Sequence, residues 1–226
     1  MKLYNFPWGP YPRRVELYLG EKAIKGLELV EVEFPHQPEL WPEGFLKALN
    51  PAHSLPVLDT EKGPMIGQSI AILEYLEELY PTPDLIGSTA EARAATREWI
   101  AIFDEAASFF GLWARQGSAV NADRHRPSLE AALAGAERYA SKLRIAEEKF
   151  VGPFLAGDVL SMADCVAMAL IEFTDQFYGV PLPKDCPKLM SWYALMSERP
   201  TVSRPAYPEA MLQVAHGLPE QTDCFI

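Results

Sequence analysis

The spacing of hydrophobic and polar residues divides the chain into a mixed first part and a helical remainder. Residues 2–5 predict a short strand, and the alternation of apolar and acidic side chains over residues 29–34 predicts a half-buried strand. Helical spacing predicts helices over residues 13–25 and 68–80, with a Pro-rich loop over residues 6–12 before the first of them.

The segment between these two helices predicts a short helix and a hairpin. Residues 42–49 fit one short helix, and the apolar runs at 55–59 and 64–66 flank a turn-like segment at 61–63. The predicted order is therefore βαβ, then α, then ββα. Prolines at 81 and 83 stop the last helix and predict a linker.

The remainder of the chain predicts only helices. They cover residues 90–115, 127–150, 161–178, 187–197 and 203–216. We therefore expect two domains, an α/β domain over residues 1–81 and an all-α domain over residues 90–226. Ser161 and Asp164 have the spacing of an N-terminal capping box, which assigns them to folding rather than to catalysis.

Charge and cysteine content narrow the classes of function. The 226 residues carry a formal net charge of -11, which argues against nucleic acid or an anionic membrane surface as a partner. The three cysteines form no CxxC pair and the four histidines no metal-spaced pair, so we expect neither a disulfide framework nor a metal site. We expect Cys165 in a buried helix, and Cys186 and Cys224 in a loop and the tail.

The N-terminus lacks the apolar segment of a signal peptide, and no apolar run approaches the length of a membrane span. A cytoplasmic protein is the expectation that follows.

Leu55-Pro56-Val57 is the first segment that suggests chemistry. A proline that opens an apolar strand removes a donor from the ladder, and a cis bond there directs the next peptide groups toward an extended peptide. The alternative is an ordinary proline on an edge strand.

Gln68 and Ser69 form the second segment. They stand where a strand ends and a helix begins, so exposed N–H groups and the helix dipole favour a carboxylate there. The alternative is that Ser69 is a plain N-cap. Together the two segments describe one groove for a small peptide that carries an α-amino-acid carboxylate.

These residues resemble the cytosolic glutathione transferases, and the resemblance covers nearly the whole chain. The matching motifs are Asn50-Pro51, Leu55-Pro56-Val57, Gln68-Ser69-Ile70-Ala71, Phe154-Leu155-Ala156-Gly157-Asp158 and Ser161-Met162-Ala163-Asp164. The resemblance implies a thioredoxin-like N-terminal domain, an all-α C-terminal domain, glutathione as co-substrate and a homodimer.

The resemblance also assigns roles to single residues. Pro56 would be a cis proline, Val57 would pair through its backbone with the cysteinyl group of glutathione, and Gln68 and Ser69 would hold the γ-glutamyl group. The neighbouring residues Leu55, Ser54 and His53 are included as glutathione-binding candidates. Ser54 and His53 depart from the Lys or Gln that the family often carries near the glycine carboxylate.

The group that activates the thiol is not the usual one. The family's Ser or Cys position falls at Gly9 and its Tyr position at Asn5, as in a yeast-type fungal and bacterial subgroup that is thought to use a helix N-terminus and water. We expect backbone N–H groups of Tyr11 and Arg13 beside Gly9 to lower the thiol pKa. The Tyr11 hydroxyl is the side-chain candidate, and its alternative role is packing. Asn5 is a further catalytic candidate that could donate an amide hydrogen bond, and its alternative role is to end the strand.

The electrophile side is predicted from aromatic residues. Trp8, Phe109, Phe110 and Trp113 are the candidates for an apolar pocket, whereas aromatics at helical spacing more often belong to the core.

Arg13 and Arg14 have two open roles, contact with glutathione or a salt bridge to the second domain. Asp104 is an open candidate for the glutathione amine.

The leading hypothesis is a transferase that conjugates the glutathione thiolate to an apolar electrophile. The alternatives are a non-catalytic glutathione-binding or regulatory module, and a glutathione-dependent lyase or reductase.

Overall fold

A computed structural model describes residues 1–6, 8–32, 44–121, 126–201 and 206–219 of the chain. The described residues form two compact units, a first unit over Met1–Leu85 and a second unit from Ile86 onward. Parts of three predicted elements, at residues 33–34, 42–43 and 203–205, lie outside the described residues, as does Cys224.

The first unit contains a small sheet. Its strands are β1 (Lys2–Asn5), β2 (Glu28–Glu31) and β3 (Val57–Asp59), in the order β2-β1-β3. The first strand pairs parallel to β2 and antiparallel to β3. Leu3 on the central strand and Leu58 on β3 are completely buried, which agrees with the apolar runs in the sequence.

The described part of the first unit also contains the helices α1 (Pro10–Glu21), α2 (Phe45–Leu49) and α3 (Ser69–Leu79). The first and third of them pack together through apolar faces at helical spacing. Their fully buried side chains are Val15, Leu17, Tyr18, Ile72, Leu73 and Leu76. The predicted thioredoxin-like order of elements is confirmed.

Two details of the first unit differ from the prediction. Helix α1 begins at Pro10 rather than at residue 13, because prolines fit the first turn of a helix, where an N–H has no partner. The predicted strand at 64–66 is reduced to one bridge, in which Leu58 and Ile66 exchange both backbone hydrogen bonds at 2.9 Å.

The regular secondary structure in the described part of the second unit is helical, apart from one β-bridge between Phe154 and Gly157. Its α-helices are α4 (Ala90–Gly117), α5 (Leu129–Lys149), α6 (Met162–Glu172), α7 (Pro187–Ser197) and α8 (Glu209–Ala215), and a π-helical turn over Phe173–Phe177 extends α6. The N-caps Thr89 and Ser128 accept backbone N–H bonds at the starts of α4 and α5. No helix in the described ranges is long and apolar enough to cross a membrane.

Asp164 organises the start of α6 as the capping-box spacing predicted. Its fully buried carboxylate accepts bonds from the backbone N–H and the hydroxyl of Ser161, both at 2.8 Å. It also accepts the N–H of Leu155 and Nε1 of Trp192, each at 2.9 Å. The box therefore joins a loop, α6 and α7, which confirms its folding role.

Candidate functional site

The candidate site lies at one end of the three-stranded sheet. Because β1 and β3 are antiparallel and Tyr4 is paired with Val57, the C-terminal end of β1 and the N-terminal end of β3 lie at the same edge. Asn5 ends β1 there, and Pro56 precedes β3. The Leu55–Pro56 peptide bond is cis, as the family resemblance implied.

Successive residues of β3 direct their backbone N–H and C=O groups to opposite sides, and this alternation shows which of these groups have no hydrogen-bond partner at this end of the sheet. Leu58 directs its N–H and C=O to Ile66, so those of Val57 point the other way, toward Tyr4 on β1. Val57 is also fully buried. The expectation that the Val57 backbone binds a ligand is therefore corrected. Leu55 lies outside the ladder and is half-exposed, and within the described residues its N–H and C=O make no hydrogen bond.

The loop before Pro56 exposes His53 and Ser54. His53 has a φ of 52°, in the left-handed region. The Ser54 carbonyl and hydroxyl accept bonds from Nδ2 of the buried Asn50, at 3.0 and 3.1 Å. Asn50 was noticed in the sequence as part of a motif but was not named as a site residue.

The N-terminus of α3 presents backbone donors near the same end of the sheet. The first helix bond runs from the N–H of Ile72 to the C=O of Gln68, which leaves the N–H groups of residues 69–71 without partners in the helix. Gln68 is the exposed N-cap and makes no side-chain cap bond. Ser69 is the first helical residue and not the cap, so its hydroxyl is not used in capping.

Arg14 brings a buried positive charge to this helix end. Its Nη1 lies 3.4 Å from Oγ of Ser69, and the residue is only 1% exposed. The guanidinium carbon lies 4.6 Å from the centre of the Tyr11 ring, which is cation–π distance. Since Arg14 belongs to α1 and Ser69 begins α3, this contact links α1 to the N-terminus of α3.

The first turn of α1 offers few donors. Pro10 and Pro12 have no N–H, and the N–H of Arg13 donates to the C=O of Gly9 at 3.1 Å. The expectation that Arg13 supplies a donor is therefore corrected, and Tyr11 carries the one open N–H of this turn among the described residues. Gly9 packs tightly, since a Cβ there would lie 3.0 Å from Cδ of Pro12.

Asn5 and Arg13 both bind Glu16 of α1. The Nδ2 of Asn5 donates to Oε1 of Glu16, and Nη1 of Arg13 lies 3.2 Å from Oε2. Asn5 is fully buried and thus holds the end of β1 against α1. These contacts account for Asn5 as a structural link, and its catalytic role stays a prediction.

The aromatic candidates separate into two groups. Phe110 and Trp113 are core residues of the second unit, 2% and 0% exposed, and both pack against Tyr139. They are therefore corrected from pocket to core. Trp8 and Phe109 are half-buried and remain candidates, and Trp8 contacts Phe6 edge-on with ring centres 5.4 Å apart.

Sequence reasoning missed a buried ion pair in the first unit. Nζ of Lys22 lies 2.8 Å from Oε2 of Glu77, and the same carboxylate accepts bonds from the Tyr18 hydroxyl and the Leu85 N–H. Nζ of Lys22 also donates to the carbonyls of Tyr80 and Pro83. The apolar pattern around these residues gives no signal for the pair, because the partners are far apart in sequence.

Comparison with known families matches both units. The family model described as "Glutathione S-transferase, N-terminal domain" matches residues 3–84, and the model described as "Glutathione S-transferase, C-terminal domain" matches residues 117–200. The chain belongs to the cytosolic glutathione S-transferase superfamily.

Individual relatives place the chain in the yeast-type subgroup. Glutathione S-transferase 2 of Saccharomyces cerevisiae is 29% identical over 215 residues, covering 90% of this chain and 88% of the relative. The crystal structure of Gtt2 from the same organism has a TM-score of 0.77 at 27% identity, covering 89% of this chain and 98% of that one.

A further relative is named for its localization and not for an enzymatic activity. FtsZ-localized protein A of Caulobacter vibrioides is 32% identical over 206 residues, covering 88% of this chain and 87% of the relative.

Proposed function

We propose that this chain is a glutathione transferase that binds glutathione along Leu55 and the N-terminus of α3 and activates its thiol at the N-terminus of α1. The second unit would supply the contacts to an apolar electrophile. We further propose that the protein acts as a cytoplasmic homodimer, which size-exclusion chromatography and cell fractionation would check.

The groups at the sheet edge support glutathione as the ligand. The open N–H groups of residues 69–71 and the Ser69 hydroxyl suit the γ-glutamyl carboxylate, and Arg14 adds a buried positive charge beside them. The open N–H and C=O of Leu55 suit the cysteinyl peptide group in the manner of an added strand. This local positive site stands out in a chain with a net charge of -11.

The observation that carries the proposal is the first turn of α1. A free thiol has a pKa of about 8.5, and a positive helix end with an open N–H lowers it. Within the described residues the N–H of Tyr11 has no acceptor, while the N–H groups of Gly9 and Arg13 donate to the carbonyls of Phe6 and Gly9. Activation would therefore depend on one peptide N–H and the helix dipole, without a protein nucleophile.

The reaction would proceed by nucleophilic attack of the glutathione thiolate on an electrophilic carbon. A C–S bond forms while the leaving group departs with its electron pair or, in an addition, while the substrate takes up a proton from water. The thiol proton goes to solvent before attack.

The decisive measurement is ultraviolet titration of glutathione bound to the protein. A thiolate band with a midpoint well below pH 8.5 is expected for the unmodified chain. Tyr11→Phe should leave that midpoint unchanged, because it keeps the N–H, whereas Pro12→Ala adds a donor and should lower the midpoint further. A large upward shift in Tyr11→Phe would transfer the role to the hydroxyl.

A non-catalytic binding module is the second candidate. The relative named for its localization with FtsZ, at 32% identity, favours it. Under this alternative, glutathione binds but its thiol titrates at the free value and no electrophile in a substrate panel is consumed. A glutathione-dependent lyase or reductase would instead show turnover in the panel without a stable conjugate.

A further inference from the structure

We propose that Asn50 is a positioning residue that couples the two halves of the glutathione site. One half is the Ser54–Leu55 peptide, and the other is the turn from Gly67 to Ser69. The inference rests on the proposed binding of glutathione at these two segments, and it concerns a side chain that is not expected to touch glutathione itself.

Hydrogen bonds fix the Asn50 amide in one orientation. The amide nitrogen Nδ2 is the atom that faces Ser54, because it donates to the Ser54 carbonyl at 3.0 Å and to the Ser54 hydroxyl at 3.1 Å. Its Oδ1 accepts the N–H of Ala52 at 3.0 Å. If the amide were flipped, its oxygen would face the Ser54 carbonyl and its nitrogen would face the Ala52 N–H. The hydrogen bonds therefore hold the loop in a single arrangement.

The backbone of Asn50 is held just as firmly. Asn50 is the C-cap of α2, where its N–H donates to the carbonyl of Leu46, and its own carbonyl accepts the N–H of His53. The residue is only 8% exposed. A movement of the amide therefore displaces the loop that carries Leu55 rather than a free side chain.

The same amide packs directly against Gly67 in the second half. A Cβ built on Gly67 would lie 2.9 Å from both Cγ and Nδ2 of Asn50, closer than real Cβ contacts allow. Gly67 has no positive φ, so a side chain there is opposed by Asn50 and not by the backbone conformation. Gly67 is followed at once by the cap Gln68 and by Ser69, so the contact links the two halves.

A double-mutant cycle tests the coupling. Glutathione affinity is measured by isothermal titration calorimetry for the unmodified chain, Asn50→Ala, Gly67→Ala and the double variant. Each single variant should raise Kd by about tenfold, because small displacements of binding groups are costly. In the Asn50→Ala background the extra effect of Gly67→Ala should fall below about twofold, since the clash is gone.

Two controls separate the contributions. Gly63→Ala, on the same connection, meets only Oγ1 of Thr60 at 3.8 Å and should leave Kd unchanged. Asn50→Asp keeps the volume of the side chain against Gly67 but removes the hydrogen-bond donor to Ser54. It should therefore weaken glutathione binding, and Gly67→Ala should still raise Kd further in this background. The thiol midpoint of bound glutathione should stay at the unmodified value in all variants, because none of the hydrogen bonds described for Asn50 goes to β1 or α1.

Equal effects of Gly67→Ala in both backgrounds, or an Asn50→Ala variant that binds normally, would overturn the coupling. If the unmodified chain does not bind glutathione, the proposed function fails instead. The coupling is then read from amide NMR resonances. Gly67→Ala should shift the Leu55 and Ser54 amides in the unmodified background and not in Asn50→Ala, and unshifted amides in both would refute it.

Discussion

A single hydroxyl shows how a site residue differs from a helix cap. Ser69 is the first residue of α3, it is 5% exposed, and the helix start has no side-chain cap bond. Its one described polar contact is with Nη1 of Arg14. A buried hydroxyl that does not cap its helix is available to a ligand carboxylate at that helix end.

Ser69→Ala should therefore affect binding more than stability. We expect glutathione Kd to rise by at least about tenfold, as for a lost hydrogen bond to a charged group. The free energy of unfolding should fall by less than the ~1 kcal/mol typical of a removed N-cap. Calorimetric titration and urea unfolding measure the two quantities.

A matched control for this variant exists in the second unit. Ser118 is also buried, and its hydroxyl accepts the N–H of Val120. Ser118→Ala should leave Kd unchanged while it lowers stability. Unchanged glutathione affinity in Ser69→Ala would show that the γ-glutamyl site is assigned wrongly.

The cysteines of the second unit should be chemically inert in the native protein. Cys165 and Cys186 form no disulfide among the described residues and are fully buried. Cys165 lies within α6, and Cys186 is in the loop before α7 as its N-cap, as the sequence predicted. Burial, with the charge of Asp185 beside it, raises the pKa of the Cys186 thiol to about 12. At pH 8 its thiolate fraction is then on the order of 10⁻⁴.

A Cys224→Ser variant tests this inertness with Ellman's reagent, since Cys224 is the remaining cysteine in the sequence. The native variant should react slowly or not at all, and both remaining thiols should react in denaturant. A thiol that reacts within seconds in the native state would contradict the burial of Cys165 and Cys186.

At the scale of elements, hydrophobic spacing and turn residues predict which helices and strands exist better than they predict which backbone groups can bind a ligand. Residues 68–80 were predicted as a helix because their apolar spacing is regular, and α3 agrees closely. The start of α1 was missed because a Pro-rich segment is typical of a loop as well as of a first helical turn. Which peptide groups face outward at β3 could not be predicted, because it depends on pairing with both Tyr4 and Ile66.

The packing of α1 against α3 depends on a charge pair that periodicity does not reveal. The Lys22 side chain is 0% exposed and that of Glu77 is 8% exposed. The ammonium also meets the carbonyls of Tyr80 and Pro83, which fixes the segment after α3. Such a pair is costly to break from one side, because the remaining charge stays buried.

Lys22→Met should lower the free energy of unfolding by about 3 kcal/mol, measured by urea unfolding. The exposed pair of Lys2 and Glu28 is the matched comparison, with side chains 40% and 59% exposed. Lys2→Met should leave stability nearly unchanged, because solvent screens an exposed pair. Equal losses in the two variants would mean that the Lys22 pair is not sequestered from water.

At the scale of the whole molecule, the proposed function gives the two units different tasks. The second unit is built on its own aromatic core, in which Phe110 contacts Trp113, Tyr139 and Tyr178. The groups proposed to hold glutathione all lie in the first unit: Leu55, the N-terminus of α3, Arg14 and Tyr11. Ligand binding should therefore stabilise the first unit in particular.

Hydrogen exchange followed by mass spectrometry tests this distribution of tasks. The backbone N–H groups of Tyr11, Leu55 and residues 69–71 lack intramolecular acceptors in the described part of the chain, so they should exchange rapidly without ligand. Saturating glutathione should slow exchange in peptides that contain them. S-methylglutathione, which cannot form a thiolate, should protect Leu55 and residues 69–71 but protect Tyr11 less. Protection confined to the second unit would place the binding site elsewhere and overturn the assignment of glutathione to the sheet edge.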